Sequence, residues 1–508
     1  MMNHLRLRTN RHLCLTRRFA ACQSLVRFFS SHQTQPIPLT LEQSTVNNHE
    51  FLAHEPITIP SSCVAEQVSE SLIKPKYVPE ESKQPIYLAP LDLTMLSGHY
   101  IQKGLLFRKP DGIHVPAFLE RLKDSLARTL THFYPLAGQL VTQKDEHEHS
   151  SLIFLDSNKG PGARFIHAIA DMTLFDILSP RYVPRFINSF FDHDRAVNYD
   201  GHFRPLLSVQ VTELTDGIFI GCSMNHVAAD GTSYWHFLNA WSEIHGADGK
   251  HTSISRVPIH RRWFPDGVSP IIKLPFAHPD EFISRYEAPE LTERIFNFSS
   301  ESISELKAKA NTQCGGKGIS SLQALSALAW GSITRARSPP SDQKTACKLA
   351  VDNRQRLNPP LSQDYFGSFV QTVAGATTVG ELLDGDIGSA AMLLHKAVND
   401  HDDRIVRYTY KKWMETYFIY QIGSYFDPYS VMVGGSPRYD VYSNEFGLGK
   451  AVAVLSGYND KFDGKMVPYP GSKGGGSVDL QISLSPASMT ALESDVEFMN
   501  AVTSASQK

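Results

Sequence analysis

The side chains best suited to acid–base chemistry lie in two segments where an aspartate follows a histidine by four positions, His226 to Asp230 and His167 to Asp171. An imidazole titrates near neutral pH, so it can take a proton from a hydroxyl or an amine that attacks a carbonyl. The spacing alone is weak evidence, because about one such pair is expected by chance in a chain with 21 histidines. The surrounding residues must therefore separate the two segments.

The predicted secondary structure favours His226. Residues 218–224 form a predicted strand, and residues 234–244 carry apolar side chains at helical spacing. His226 therefore lies in a loop between a buried strand and an amphipathic helix, a common place for catalytic groups. Gly231, which follows the aspartate, permits a tight backbone turn. His167, by contrast, has apolar neighbours and is interpreted as structural.

A histidine base suits acyl transfer from a thioester, because a thioester is an activated donor that needs no covalent serine or cysteine intermediate. The sequence has no Gly-x-Ser-x-Gly segment of the kind that carries such a serine. Two roles are open for Asp230. It orients the imidazole as in a catalytic triad, or it points away and pairs with an arginine that holds the loop.

The amino-acid composition is typical of a globular protein. Of its 508 residues, 42% are hydrophobic and 20% are charged, which allows more than one core. A net charge of −3 gives no basic excess for binding nucleic acid. The sequence has no apolar run of transmembrane length, no metal-ligand motif and no closely spaced cysteine pairs. We therefore expect neither a membrane span nor a metal site.

The N-terminus differs in composition from the rest. The first 33 residues contain six arginines and no acidic residue, which is typical of a mitochondrial transit peptide. An unstructured extension, or an upstream start codon that is not used, explains the same composition. Residues 1–64 are therefore predicted to be an extension. We expect a cytoplasmic protein, or a mitochondrial one if the leader is a real transit peptide.

Five blocks of this sequence together resemble the plant BAHD acyltransferases in order and spacing. The segment around His226 resembles the family's HxxxDG motif, and the block from Asn444 to Lys450 resembles its DFGWG motif. The five blocks are residues 134–138, 225–237, 353–360, 364–367 and 444–450. The branch with the strongest resemblance contains shikimate/quinate hydroxycinnamoyltransferase-like sequences and the salicylate-pathway lyase EPS.

The resemblance implies an α/β (α+β) fold of two similar chloramphenicol-acetyltransferase-like domains with a channel between them. The expected division is residues 65–260 for the first domain, 261–292 for a crossover loop and 293–508 for the second domain. It also implies that His226 is the base and that Asp230 pairs with an arginine, either Arg354 or Arg356. Acyl-CoA is then a co-substrate, and no permanently bound cofactor is expected.

The block that resembles DFGWG departs from the family pattern. Glu445 replaces the family aspartate and Leu448 the tryptophan, while Phe446, Gly447 and Gly449 are retained. Because the family's block is structural, we expect altered packing rather than lost chemistry. Some relatives have oxyanion-stabilising residues just upstream of this block, and Ser436 falls at one such position. It is interpreted either as an oxyanion donor or as a turn serine before a proline.

The predicted CoA contacts rest on weaker signals. Ser321 begins a predicted helix, whose first backbone N–H groups can bind phosphate. Ser456, Lys461 and Lys465 lie in one segment and are candidate CoA contacts, the two lysines as phosphate ligands. Solvated surface charge is the alternative interpretation for both lysines.

The leading hypothesis is an acyl-CoA-dependent transferase of plant specialised metabolism that acts as a monomer on a small alcohol or amine. The first alternative is an isochorismoyl-glutamate-type lyase on the same scaffold. That member of the family departs from the HxxxD histidine, whereas His226 is intact here. The second alternative is a binding protein without catalysis, since a fold does not determine function.

Overall fold

A computed structural model describes residues 64–247, 253–316, 318–459 and 461–503. The predicted N-terminal extension lies outside these residues except for Val64. The strands, in chain order, are β1 (Glu66–Ile73), β2 (Ile86–Tyr87), β3 (Ile101–Arg108), β4 (Gln139–Asp145), β5 (Ser150–Asp156), β6 (Ala163–Ile169), β7 (Leu207–Glu213), β8 (Gly217–Met224), β9 (Lys273–Leu274), β10 (Thr292–Phe298), β11 (Lys344–Asp352), β12 (Val370–Thr378), β13 (Val431–Val433), β14 (Ala453–Ser456), β15 (Lys465–Pro470) and β16 (Val478–Leu484).

The helices alternate with these strands along much of the chain. They are α1 (Pro90–Leu93), α2 (Val115–His132), α3 (Leu174–Leu178), α4 (Gly231–Gly246), α5 (Ser300–Gln313), α6 (Ser321–Arg337), α7 (Val379–Asp384), α8 (Ile387–Asp400), α9 (Asp403–Thr416), α10 (Ile422–Tyr425), α11 (Pro486–Leu492) and α12 (Val496–Ala501). Within the described residues no helix is both long and apolar enough to cross a membrane.

Local sequence explains where the helices near the predicted site begin and end. In α2 the apolar side chains recur at helical spacing and are buried, and Pro135 stops the helix soon after His132. Helix α4 begins at Gly231 because the side chain of Asp230 accepts a hydrogen bond from the Ser233 N–H, which is an N-cap. The loop between β8 and α4 thus ends at the aspartate of the HxxxD segment.

Two six-stranded mixed sheets form the body of the fold. The first has the strand order β1-β6-β7-β8-β3-β14, and the second has the order β10-β16-β15-β13-β11-β12. A smaller sheet contains β2, β5 and β4, with β9 against β5. A separate buried cluster of side chains lies around helices α5, α6 and α8 of the second half. The α/β architecture of two halves is the predicted fold.

One strand joins the sheet of the other half. Strand β14 pairs antiparallel with β3, and Ser456 lies opposite Lys103. The second half of the chain therefore contributes the edge strand of the first sheet, and sheet membership does not follow the sequence division at residue 293. This exchange brings residues from distant parts of the sequence to the boundary between the two sheets.

Candidate active site

The loop that carries His226 is held by its own asparagine. The side-chain oxygen of Asn225 accepts a hydrogen bond from the Val227 N–H at 3.0 Å, and its carbonyl oxygen accepts one from the Ala228 N–H at 3.1 Å. The Asn225 N–H donates to the Leu206 carbonyl at 2.8 Å. Such local turns are what asparagine side chains favour. The predicted loop between strand and helix is confirmed, and hydrogen bonds hold its backbone on both sides of His226.

A second asparagine, Asn198, fixes the backbone at His226 itself. Its Oδ1 accepts a hydrogen bond from the His226 N–H at 2.7 Å, and its Nδ2 donates to the Met95 carbonyl at 2.7 Å. Its own carbonyl accepts from the Asn225 side chain at 2.8 Å. Asn198 is fully buried. The sequence offers no signal for this role, because the residue lies 28 positions before His226 in an irregular segment.

Replacing Asn198 by alanine should weaken both the loop and the reaction. The His226 N–H would lose its partner in a buried site, which costs about 1–3 kcal/mol, while the Met95 carbonyl keeps the hydrogen bond from the Gly98 N–H at 2.9 Å. A displaced imidazole should lower kcat by up to about a hundredfold, with a smaller change in KM. Urea unfolding and steady-state kinetics measure the two effects. Asn297→Ala is the control, because Asn297 is half-buried on β10 and is bonded to Asp479 on the neighbouring strand β16, in the second sheet.

Asp230 points away from His226 and forms a buried ion pair with Arg354. The guanidinium donates from Nη1 to Oδ2 at 2.7 Å and from Nη2 to Oδ1 at 3.1 Å, and both side chains are completely buried. The carboxylate also accepts the N–H groups of Ser233 and Phe369, each at 2.9 Å. Burial alone would raise the pKa of Asp230, but the charge and hydrogen bonds of Arg354 outweigh it and hold that pKa below its usual value.

Arg354 also binds the backbone of the segment that contains Tyr365 and Gly367. Its Nε and Nη2 donate to the Tyr365 carbonyl at 3.1 and 3.0 Å, and Nη2 donates to the Gly367 carbonyl at 3.2 Å. The Asp230 N–H donates to the same Gly367 carbonyl at 3.2 Å. Arg356, the other arginine considered as the partner of Asp230, instead donates to the carbonyls of Val398 and His401. Arg354 therefore links the His226 loop to the start of β12.

A second buried ion pair supports the same region. Arg262 donates from Nε to Asp92 at 2.8 Å, and its Nη2 lies 3.4 Å from the Ala228 carbonyl in the His226 loop. Asp92 accepts the Ser368 N–H at 2.9 Å. Both side chains of the pair are nearly inaccessible to solvent. The sequence did not identify this pair, because its members lie 170 positions apart and belong to no recognisable motif.

His226 lines a cavity between the two large sheets. The cavity has a volume of about 220 Å³. One side is formed by β3, β14 and the start of α4, and the other by β11, β12, β13, β15 and β16. The Nδ1 atom of His226 is buried and has no hydrogen-bond partner among the described residues. None of the hydrogen bonds described for Asp230 reaches this imidazole, so Asp230 does not orient the ring as a triad carboxylate does.

Gly231 leaves space in this cavity beside Tyr439. A Cβ atom at Gly231 would stand 2.8 Å from the Tyr439 hydroxyl oxygen, closer than real Cβ contacts. Burial raises the pKa of that hydroxyl far above its usual range, so Tyr439 stays neutral. The glycine of the HxxxDG segment thus serves two purposes: it begins α4, and it keeps the cavity wall free beside a buried tyrosine.

The remaining predicted residues divide into two groups. Ser456, Lys461 and Lys465 line the same cavity as His226. Ser321 and Ser436 are not among the residues that line it. Ser321 opens α6, where the neighbouring Ser320 is the N-cap, and the Ser436 hydroxyl accepts a hydrogen bond from the Arg438 N–H at 3.2 Å. That contact is the one expected of a turn serine.

The block that resembles DFGWG packs against α4 at a distance from the cavity. The Phe446 ring lies 4.8 Å from the Trp241 ring, centroid to centroid, and Leu448 is buried nearby. Phe446, Gly447 and Gly449 have positive φ angles, which suit the two glycines. Glu445 is exposed. The departures from the family pattern at Glu445 and Leu448 therefore fall in a segment that packs against α4.

Metal ligation has no support in the described part of the chain. Within residues 64–247, 253–316, 318–459 and 461–503, histidine, cysteine and acidic side chains do not form a group of three or more that could hold a metal ion. His149, between β4 and β5, contacts Glu281 at 3.2 Å.

Comparison with known proteins matches most of the chain to one family. The model of the Transferase family matches residues 65–499. An uncharacterized acetyltransferase of Arabidopsis thaliana is 37% identical over 85% of this chain and 98% of its own. BAHD acyltransferase DCR of the same plant is 32% identical over 85% of this chain and 92% of its own.

Two solved structures share the fold at lower sequence identity. Vinorine synthase superposes with a TM-score of 0.66 at 22% identity, and covers 87% of this chain and 99% of its own. TRI101 of F. sporotrichioides, solved in complex with coenzyme A and T-2, has a TM-score of 0.62 at 20% identity, with 82% of this chain and 98% of its own covered. At this identity the two structures support the fold alone.

Proposed function

The chain belongs to the Transferase family of BAHD acyltransferases and is an acyltransferase, and from this premise we propose that it uses His226 as a general base. The reaction transfers an acyl group from a CoA thioester to the hydroxyl or amine of a small molecule. The observation that carries the proposal is the placement of His226 on the wall of the cavity between the sheets, with Asp230 bound to Arg354 instead.

The imidazole moves one proton in each half of the reaction. Nε2 is assigned to proton transfer, because Nδ1 is buried. As the acceptor oxygen or nitrogen attacks the thioester carbonyl carbon, its proton passes to Nε2 and the carbonyl electron pair moves to oxygen. When the tetrahedral intermediate collapses, the carbon–sulfur bond breaks. The CoA sulfur then takes the proton from the imidazolium, which regenerates the neutral base and releases free CoA.

The buried contacts around the loop support this step by fixing the position of His226. Asp230 and Arg354 hold the end of the loop, while Asn198 holds its centre at the His226 N–H. We assign a CoA thioester as the donor because the chain belongs to an acyltransferase family, and TRI101, which shares the fold, was solved with coenzyme A. A base kept in place by buried contacts needs little reorganisation when substrate binds, which lowers the barrier to attack.

A panel of acyl-CoA esters tests the donor first by binding. Acetyl-, benzoyl- and coumaroyl-CoA are each added to the protein, and the unfolding temperature is recorded. A donor that binds the folded state should raise its unfolding free energy by about 2.7 kcal/mol at one hundred times its Kd. Free pantetheine is the comparison compound. Failure of every CoA ester to shift the transition would contradict the donor assignment.

Turnover is then measured as release of free thiol in the presence and absence of an alcohol or amine acceptor. An acyltransferase releases CoA faster when acceptor is present and forms one ester or amide for each thiol. The lyase alternative needs no CoA ester, so incubation with an isochorismoyl-glutamate conjugate alone distinguishes it. A protein that binds no CoA ester and converts neither substrate would instead support the non-catalytic alternative.

A further inference from the structure

Asn198, which holds the His226 N–H, lies in a short turn that is fixed at a second point. Asp200 follows it by two residues in the same 3₁₀-helix (Asn198–His202). The Asp200 carboxylate accepts the Val197 N–H at 3.2 Å, and the Asp200 N–H donates to the Val197 carbonyl at 2.9 Å. The Asp200 side chain is only 3% exposed. A group that fixes Asp200 therefore also fixes the turn from which Asn198 reaches His226.

An arginine from the segment between β9 and β10 binds this carboxylate with both of its terminal nitrogens. Arg285 donates from Nη2 to Oδ1 of Asp200 at 2.7 Å and from Nη1 to Oδ2 at 3.1 Å. A second cation stands further away, since the Nε atom of Arg204 is 4.0 Å from Oδ2. Two parallel hydrogen bonds fix the plane of a carboxylate more closely than one contact does. Arg285 is therefore the cation that orients Asp200.

A pair of serines fixes the backbone that carries Arg285. The Ser97 hydroxyl accepts the Ser284 N–H at 2.8 Å and donates to the Ser284 carbonyl at 3.0 Å. Ser97 is buried, and the carbonyl of the next residue, Gly98, accepts the Asn198 N–H at 2.7 Å. The turn at Ser97 therefore contacts both the residue before Arg285 and the residue that holds the catalytic loop.

Aromatic packing joins the same two segments. The Tyr199 ring meets the Phe282 ring edge to face, with centroids 5.8 Å apart, and Phe282 is buried. The Tyr199 N–H donates to the Leu96 carbonyl at 2.9 Å. Three residues within four positions, Phe282, Ser284 and Arg285, thus hold the segment before β10 against the turn that supports His226. A ring contact, a backbone contact and an ion pair together define one orientation of that turn.

We propose that Arg285 is a positioning residue for the reaction: its guanidinium fixes Asp200 and, through the turn at Asn198, keeps His226 in place on the cavity wall. This inference rests on the proposed role of His226 as the base. Two contacts carry it, the ion pair of Arg285 with Asp200 and the hydrogen bond from the His226 N–H to Asn198. A base displaced by about 1 Å loses up to about a hundredfold in rate, so a side chain that touches no substrate still affects kcat.

A surface ion pair that contributes only to stability is the alternative, because the Arg285 side chain is itself 58% exposed. The pair of Arg185 with Glu290 supplies the matched comparison. Its N–O distance is 2.6 Å, and it also joins the first half of the chain to the segment before β10. Both of its side chains are more than half exposed, and Arg185 begins a different 3₁₀-helix, Arg185–Phe190. Arg185→Met therefore removes the same chemistry without reaching the Asn198 turn.

Steady-state kinetics test the positioning role. In Arg285→Met, kcat should fall by about threefold to tenfold while KM for acyl-CoA stays within about twofold, because the position of the base is altered and binding is not. Arg285→Lys keeps the charge but not the two parallel hydrogen bonds, and should recover part of the loss. Arg185→Met should keep the wild-type kcat. In the Asn198→Ala background, Arg285→Met should lower kcat by less than about twofold, because the link to His226 is already broken. An unchanged kcat in Arg285→Met, or equal losses in both backgrounds, would overturn the inference.

Hydrogen exchange of the backbone keeps this inference separate from the proposed reaction, since it needs no substrate. Exchange of the His226 N–H, followed by mass spectrometry, should be at least about threefold faster in Arg285→Met than in the wild type and unchanged in Arg185→Met. Faster exchange without detectable acyl transfer would support the positioning role and contradict the proposed reaction instead. Unchanged exchange in Arg285→Met, with urea unfolding as the check that the variant is folded, would overturn the inference. Arg285→Gln replaces the methionine variant if that variant does not fold.

Discussion

A His226→Ala variant is expected to lose about 10²- to 10⁴-fold in kcat, the range that a general base contributes, with its fold intact. The imidazole removes the acceptor proton in the attack step and returns it to the leaving sulfur, so its loss affects both halves of the reaction. The hydrogen bond described for this residue is donated by its backbone N–H to Asn198, and alanine retains it. The unfolding free energy should therefore change much less than kcat.

The second HxxxD segment supplies a matched control for this experiment. His167 lies on β6, is largely buried, and stands 3.6 Å from Glu213, outside the cavity. His167→Ala should keep kcat within about twofold and alter stability at most by an amount typical of a single substitution, about 1 kcal/mol. Thiol release under saturating acyl-CoA measures both variants. Full activity of His226→Ala would remove the base from the mechanism, while inactivity of both variants would indicate a folding defect.

Much of the His226 loop was predictable because its signals are local. The change from strand period to helical period and the glycine after Asp230 lie within about thirty residues, and they place the loop between β8 and α4 as observed. The sequence could not decide whether Arg354 or Arg356 pairs with Asp230. The two arginines lie two residues apart, and only the packing of the loop determines that Arg354 reaches Asp230 while Arg356 reaches Val398 and His401.

Contacts between distant segments could not be predicted from residue patterns. Asn198, Asp92 and Arg262 are ordinary polar residues in the sequence, and their roles depend on partners 28 to 170 positions away. Lys461 is a similar case. In the sequence it is one lysine in a polar loop, for which a solvated surface charge is a reasonable interpretation. The structure buries it because β14 and β10 bring Ser456 and Glu293 to its ammonium group.

The largest loss of stability is expected from breaking the Asp230–Arg354 pair. Asp230→Asn removes the completely buried one of the two carboxylates that pair with Arg354, and leaves only Asp352, which is 33% exposed. Breaking such a buried pair costs about 3–5 kcal/mol. Urea unfolding at pH 7 measures it. Asp364→Asn is the matched control, because its partner Arg256 is 46% exposed and an exposed pair contributes about 0–1 kcal/mol. A triad role for Asp230 would instead give a large loss of kcat with little loss of stability.

The pH dependence of stability and the effect of removing Arg354 distinguish the contribution of the ion pair from that of general packing. Because the pKa of Asp230 is held below its usual value in the fold, the stabilisation is present above about pH 4 and is lost as pH falls through the lowered pKa. The difference in unfolding free energy between wild type and Asp230→Asn should therefore narrow at acidic pH.

Arg354→Met alone should also destabilise the protein, and the double variant should be less destabilised than the sum of the two single variants by about 1–3 kcal/mol. Strict additivity would mean that the two side chains do not stabilise each other, and that the loop is held by the remaining contacts of each.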